Sequence, residues 1–169
     1  EFNPLAINLY LLSYNANKQL IAPNLATKTN LKTYLSKFRM LTDGINLRNG
    51  HVINIGVKFD IVARPDSISK EVLIKAIDEA KQYFAIDKWQ MNEPISISDL
   101  AATLDQVEGV QSILNLNIVN KFDASSGYSP NLYDIGEATK NNIVYPSMDP
   151  SIFEVRFPDT DIEARIVGA

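Results

Sequence analysis

The sequence contains no cysteine and a single histidine, His51, among its 169 residues. The absence of cysteine excludes disulfide bonds and thiolate-bound metal sites. His51 follows an Asn-Gly pair at the start of a strand pattern, where a strand-edge residue is more typical than a catalytic one. Since the chain also has no glycine-rich phosphate loop and no nucleophile paired with a base, it predicts a protein that is not an enzyme and needs no cofactor or metal.

Long apolar runs are also missing, and none approaches the ~20 residues that a transmembrane helix requires. The chain opens with Glu-Phe-Asn-Pro, without Met or a basic leader, so it does not begin with a signal peptide. Such a start is typical of a fragment of a longer protein. Sixteen basic and twenty acidic residues give a net charge of −4, which disfavours nucleic acid or an anionic membrane as the main partner.

One segment alternates between apolar and polar side chains with the two-residue period of a strand. It runs from His51 to Pro65, and its apolar positions are Ile53, Ile55, Val57, Phe59 and Ile61. Apolar residues at helical spacing follow in 67–84, and Ser96 to Asp99 matches a capping box at the start of another helix, which Gly109 ends. Trp89 lies between these helices, where it is expected to seat its ring on the core and donate its indole N–H.

The pattern predicts an α+β fold with a β-α-β-α-α-β core around a mixed sheet. The elements of this core are a strand over residues 5–12, a helix from Thr27 or Thr29 to Leu41, a strand over 51–64, helices over 67–84 and 96–109, and a strand over 110–118. Its crossover connections are long enough to permit parallel neighbouring strands.

From Lys121 onward the composition changes. Residues 121–150 are rich in Pro, Gly, Ser and Asn, and short alternating patterns follow over 152–157 and 162–166. Four basic and eight acidic residues in 121–169 account for the whole net charge, because residues 1–120 are neutral. We therefore expect a core domain over 1–120 and an irregular, acidic C-terminal extension over 121–169 that is packed on or beside the core and ends in short strands.

This extension carries the candidate interface residues. Aromatic side chains on polar segments are enriched at protein–protein contacts because they supply a large area with few rotatable bonds. The candidates are Tyr128, Tyr133, Tyr145, Phe153, Val155 and Phe157. An equally open interpretation is that these residues dock on the core of their own chain.

The order and texture of the elements resemble the C-terminal part of phage baseplate wedge proteins. The resemblance is carried by HVINIGVKFDIVARP, NEPISISDLAATLDQVEGVQSI and the ending NNIVYPSMDPSIFEVRFPDTDIEARIVGA, the last of which is similar to the T-even-type wedge protein family. It implies a structural protein of the virion, made in the host cytoplasm, which dimerises and joins neighbouring wedge proteins into a ring around the tail hub. It implies no catalytic, cofactor-binding or metal-binding residues and no small-molecule substrate.

Other functions stay open at this level. The tyrosine-rich segment also fits a ligand-binding or adhesion module. A small acylphosphatase-like hydrolase would need arginine and asparagine around a phosphate loop, and Arg48 and Arg64 lack a glycine-rich cradle. The acidic tail has carboxylates that suit calcium, but it lacks the regular donor spacing of a calcium loop.

The absence of metal-binding patterns generates a first prediction. We expect a chelator such as EDTA to leave the melting temperature unchanged, and elemental analysis of the purified protein to find no stoichiometric transition metal. A bound metal, or a melting temperature that collapses on chelation, would contradict the interpretation of the sequence as metal-free.

Overall fold

The computed structural model describes residues 6–38 and 44–167. The chain forms two compact units, residues 1–51 and residues 52–169. Leu5 and the predicted helix end around Leu41 lie outside the described residues. The predicted boundary after residue 120 falls inside the second unit, and the structural division lies instead at residue 51.

The first unit contains β1 (Ala6–Leu11), β2 (Ser13–Tyr14), β3 (Leu20–Ile21), α1 (Leu25–Leu35) and β4 (Gly44–Asn49). β1 and β4 pair in parallel, while β2 and β3 form a short antiparallel pair. The helix begins earlier than predicted because the Asn24 side chain accepts a hydrogen bond from the Thr27 N–H at 2.7 Å. α1 buries none of its residues, so none of its apolar side chains lies in a core.

The second unit is built on β5 (His51–Ala63). Its further elements are α2 (Ser69–Tyr83), β6 (Ile95–Ser96), α3 (Ile97–Asp105), β7 (Val110–Asn120), α4 (Ile135–Ala138), β8 (Thr139–Lys140), β9 (Ile143–Val144), β10 (Ser151–Glu154), α5 (Pro158–Asp161) and β11 (Ile162–Ile166). β7 pairs antiparallel with β5, β11 pairs parallel with it, and β10 also pairs with it. The predicted α+β class with a mixed sheet is confirmed, but the first predicted strand and helix belong to the other unit.

The alternating positions of β5 form the core of the second unit, as predicted. Ile55, Val57 and Ile61 are fully buried, and Phe59 is 2% exposed. They cluster with Val72, Ala76, Ala80 and Phe84 from α2 and the residue after it, and with Leu100 and Leu104 from α3. The five apolar positions of β5 therefore pack against the predicted helices.

The Ser96 cap, the left-handed Gly109 and the Trp89 seat are also confirmed, but α3 ends at Asp105 and not at Gly109. Ser96 caps α3, with its hydroxyl accepting a hydrogen bond from the Asp99 N–H at 3.2 Å. Gly109 has a φ of 91°, and a Cβ there would lie 2.5 Å from the Val72 side chain, so no other residue fits without strain. Trp89 stacks on Phe84 and donates its indole N–H to the Tyr83 carbonyl oxygen at 3.0 Å.

The C-terminal segment is part of the sheet rather than an extension beside it. β10 and β11 both pair with β5. Without these two strands, β5 would have backbone N–H and C=O groups that lack hydrogen-bond partners. No helix within residues 6–38 and 44–167 combines the length and the apolar content needed to cross a membrane.

The buried face of β5 generates a stability prediction. Replacing Phe59 by Ala is expected to lower the free energy of unfolding by ~3–5 kcal/mol, because it removes a ring that the core surrounds. Ile74 on α2 is half exposed, and Ile74→Ala serves as a control that should change stability by less than ~0.5 kcal/mol. Chemical denaturation would measure both, and a cost below ~1 kcal/mol for Phe59→Ala would contradict the assignment of this face.

Candidate assembly surface

Phe153 and Val155 do not lie on the surface. Both belong to the core, with 3% and 8% of their surface exposed, and all four residues of β10 are buried. The sequence showed an alternating strand with one exposed face, but β10 pairs with the central strand and is covered on both faces. Their assignment as interface residues is therefore corrected to core residues.

Tyr133 holds its segment against the core. Its ring meets the ring of Phe153 edge-on at a centroid distance of 6.0 Å, and its hydroxyl donates a hydrogen bond to the Tyr145 carbonyl oxygen at 2.6 Å. Its N–H donates to the Asn120 side chain at 2.9 Å. Burial raises the pKa of Tyr133.

Tyr128 and Phe157 form a second internal contact. Their rings meet edge-on at 5.3 Å, and the Tyr128 hydroxyl donates to the buried Asp161 carboxylate at 2.5 Å. The same carboxylate accepts the Phe157 N–H at 2.9 Å. Burial, followed by the bond to Asp161, raises the pKa of Tyr128 to about 12.

Asn54 points to the face of β5 opposite the apolar core face and forms hydrogen bonds to three other segments of the chain. Its side-chain amide donates to Glu154 at 2.7 Å and accepts the Ser129 N–H at 2.6 Å. The backbone carbonyl oxygen of Asn54 accepts a hydrogen bond from the Lys121 N–H at 2.8 Å. This role of Asn54 was not predicted from the sequence, since an Asn at an outward position of a strand is usually solvated.

The acidic tail residues serve different purposes. Glu154 and Asp161 are buried and hydrogen-bonded within the protein, whereas Asp149 and Asp159 are exposed. Within the described residues, no group of three His, Asp or Glu side chains is placed to hold a metal ion. The tail carboxylates therefore do not converge on one point.

Several large apolar side chains of the C-terminal segment remain exposed. Leu132 is 72% exposed, Met148 is fully exposed, and Tyr145 is about half exposed. We call these three residues the C-terminal surface. Phe122 and Phe157 are also partly exposed on the same segment. Of the predicted candidates only Tyr145 belongs to this surface, and Leu132 and Met148 were missed although each stands alone among polar residues and prolines.

The backbone that carries the C-terminal surface is fixed by hydrogen bonds. The Tyr145 N–H donates to the Ala138 carbonyl oxygen at 3.1 Å. Before Met148, the Ser147 N–H donates to the Ser151 hydroxyl at 3.2 Å, and the Ser147 hydroxyl donates to the Asp149 carbonyl oxygen at 2.8 Å. An ordered segment thus presents apolar side chains to solvent.

The Tyr128–Asp161 bond generates a prediction on stability. Tyr128→Phe is expected to cost ~1–3 kcal/mol, because it leaves a buried carboxylate short of a donor. Tyr145→Phe removes an exposed hydroxyl and should cost less than ~0.5 kcal/mol. Since the folded pKa of Tyr128 is raised, its contribution is present below about pH 10 and is lost as the pH rises to about 12. Chemical denaturation of the parent protein and of Tyr128→Phe across this pH range should show the difference between their free energies of unfolding shrinking as the pH rises. A difference that grows with pH would contradict this prediction.

No protein-family model matches the chain, and a sequence comparison with curated proteins finds no match. The similarity to baseplate wedge proteins therefore stays a prediction from the order of the elements. The geometry of the C-terminal surface is the basis on which a function is proposed.

Proposed function

We propose that this chain is a structural subunit of a contractile phage tail baseplate, located in the virion, which associates with itself and with neighbouring wedge proteins to form a ring around the hub. The observation that carries the proposal is the exposure of Leu132 and Met148 on a segment whose backbone is fixed. Large apolar side chains that an ordered segment holds in water mark contact sites for other proteins. The wedge assignment itself comes from the resemblance of the sequence.

The fixed backbone favours assembly because it reduces the entropy lost on binding. Tyr133 and Asn54 attach the segment to the sheet through hydrogen bonds of 2.6–2.9 Å. The C-terminal surface is therefore ordered before a partner arrives. Such preorganised apolar contacts suit a permanent structural assembly.

The two other functions receive less support. In an adhesion module the tyrosine hydroxyls would recognise a ligand, but those of Tyr128 and Tyr133 bind Asp161 and the backbone of their own chain. In an acylphosphatase-like site an arginine and an asparagine would meet a phosphate, but Arg64 donates to the Val110 carbonyl oxygen.

The charged cleft on the outer face of the sheet also offers little to a ligand. It has a volume of about 630 Å³ and is lined by four charged side chains. These are already paired, Lys58 with Glu163 and Arg165 with Asp60, each at 3.0 Å. A ligand that entered the cleft would have to displace these internal ion pairs.

Self-association is tested by solution mass. We expect sedimentation velocity across a wide concentration range to show association of the parent protein, and Leu132→Asp with Met148→Asp to weaken it by at least tenfold (~1.4 kcal/mol), because charges replace apolar contacts. Circular dichroism should show an unchanged fold, since both side chains are exposed.

The matched control places the same two charges on another exposed apolar pair. Ile68→Asp with Ile74→Asp changes α2 and the residue before it, where both side chains are more than half exposed. This control should associate like the parent. A parent that stays monomeric throughout, or a loss of association that the control shares, would show that the proposed function or its surface is wrong.

A further inference from the structure

The two units carry opposite net charges. Residues 1–51 contain six basic and two acidic residues, a net charge of +4, and residues 52–169 contain ten basic and eighteen acidic residues, a net charge of −8. Between Phe2 and Phe59 the sequence has one acidic residue, Asp43. When copies of the chain associate, contact between unlike units is electrostatically favoured over contact between like units.

A cleft between α1 and β4 is lined by three of the six basic residues of the first unit. It has a volume of about 580 Å³. Three basic side chains and three apolar ones line it: Lys28, Lys32, Arg48, Leu25, Ile45 and Leu47. Lys28 and Lys32 lie one helical turn apart and therefore on the same face of α1. We call this cleft the basic groove.

The basic groove has no acidic partner among the described residues of its own unit. In the part of the chain that the structure describes, neither lysine of the groove nor Arg48 makes a salt bridge, and residues 6–38 and 44–51 contain no Asp or Glu. Leu25 is 79% exposed. A parallel strand pair is usually covered on both faces, and within the described residues of its own unit the groove has neither a counter-charge nor an apolar cover.

The C-terminal surface supplies both in another copy. The same segment carries exposed carboxylates, with Glu137 on α4 and Asp149 next to Met148 in the sequence. From residue 122 to residue 155 there are five acidic residues and one basic residue, Lys140. A groove of cations and apolar side chains thus matches a surface of anions and apolar side chains.

We propose that the basic groove of one copy binds the C-terminal surface of a second copy. This inference rests on the proposed function, because it takes association through the C-terminal surface as its starting point and names the opposite side of the contact. A nucleic acid is a poorer occupant, since the chain as a whole has a net charge of −4 and the second unit repels a polyanion. If two copies exchange the contact reciprocally they close as a dimer, and otherwise the contact propagates from copy to copy.

Charge reversal in the full chain tests the groove. We expect Lys28→Glu with Lys32→Glu to weaken association by about tenfold in sedimentation velocity, because like charges then face each other. Lys18→Glu with Lys37→Glu makes the same change in net charge in the same unit but outside the groove, and it should leave association unchanged.

The reciprocal change makes the test specific. Glu137→Lys with Asp149→Lys should weaken association by itself, and mixing it with the Lys28→Glu, Lys32→Glu variant should restore association. Raising NaCl from about 0.1 M to about 1 M shortens the Debye length from about 10 Å to about 3 Å and should weaken the parent association.

Failure of this inference is distinguishable from failure of the proposed function. If Leu132→Asp with Met148→Asp abolishes association while the groove variant associates like the parent, the proposed function stands and the groove is not the partner. If the groove variant associates normally but loses binding of a labelled single-stranded oligonucleotide, the groove serves a polyanion and the inference is wrong. If the parent never associates, both proposals are wrong.

Discussion

The long strand β5 needs hydrogen-bond partners along both edges and cover on both faces, and the second unit is arranged to supply them. β7 occupies one edge in antiparallel pairing, and β10 and β11 pair with it from the C-terminal segment. The helices α2 and α3 cover the apolar face. These partners come from distant parts of the chain and together make residues 52–169 one compact unit.

The outer face of β5 adds buried polar groups to this arrangement. Asn54 is fully buried, and Asp60 is 4% exposed. Asp60 accepts a hydrogen bond from the Asn115 side chain at 2.9 Å, and this bond together with Arg165 lowers its pKa. Buried polar groups that lose their partners are costly, so each one selects a single position for the segment that satisfies it.

This selection links the fold to the proposed assembly. The hydrogen bonds of Asn54 and Tyr133 determine which side chains of the C-terminal segment turn inward and which stay in water. Phe153 packs inward as a consequence, while Leu132 and Met148 remain outside. The apolar side chains that this segment leaves exposed are therefore a by-product of polar contacts within the chain.

The local features of the second unit could be predicted from the amino-acid sequence. The period of β5, the apolar faces of α2 and α3, the Ser96 cap and the left-handed Gly109 all depend on residues close to one another in the chain. The predictions for the first unit were less accurate: a short helix whose apolar residues meet no core has the same sequence pattern as one that does.

The role of residues 121–167 depends on strand pairing that their own sequence pattern does not show. An alternating pattern such as that of Phe153 and Val155 is compatible with an edge strand, an interface or a core strand. The choice depends on whether another strand and another layer cover it, and that information lies about a hundred residues away, in β5. Local patterns determine which element forms, whereas pairing partners distant in sequence determine which of its faces meet water.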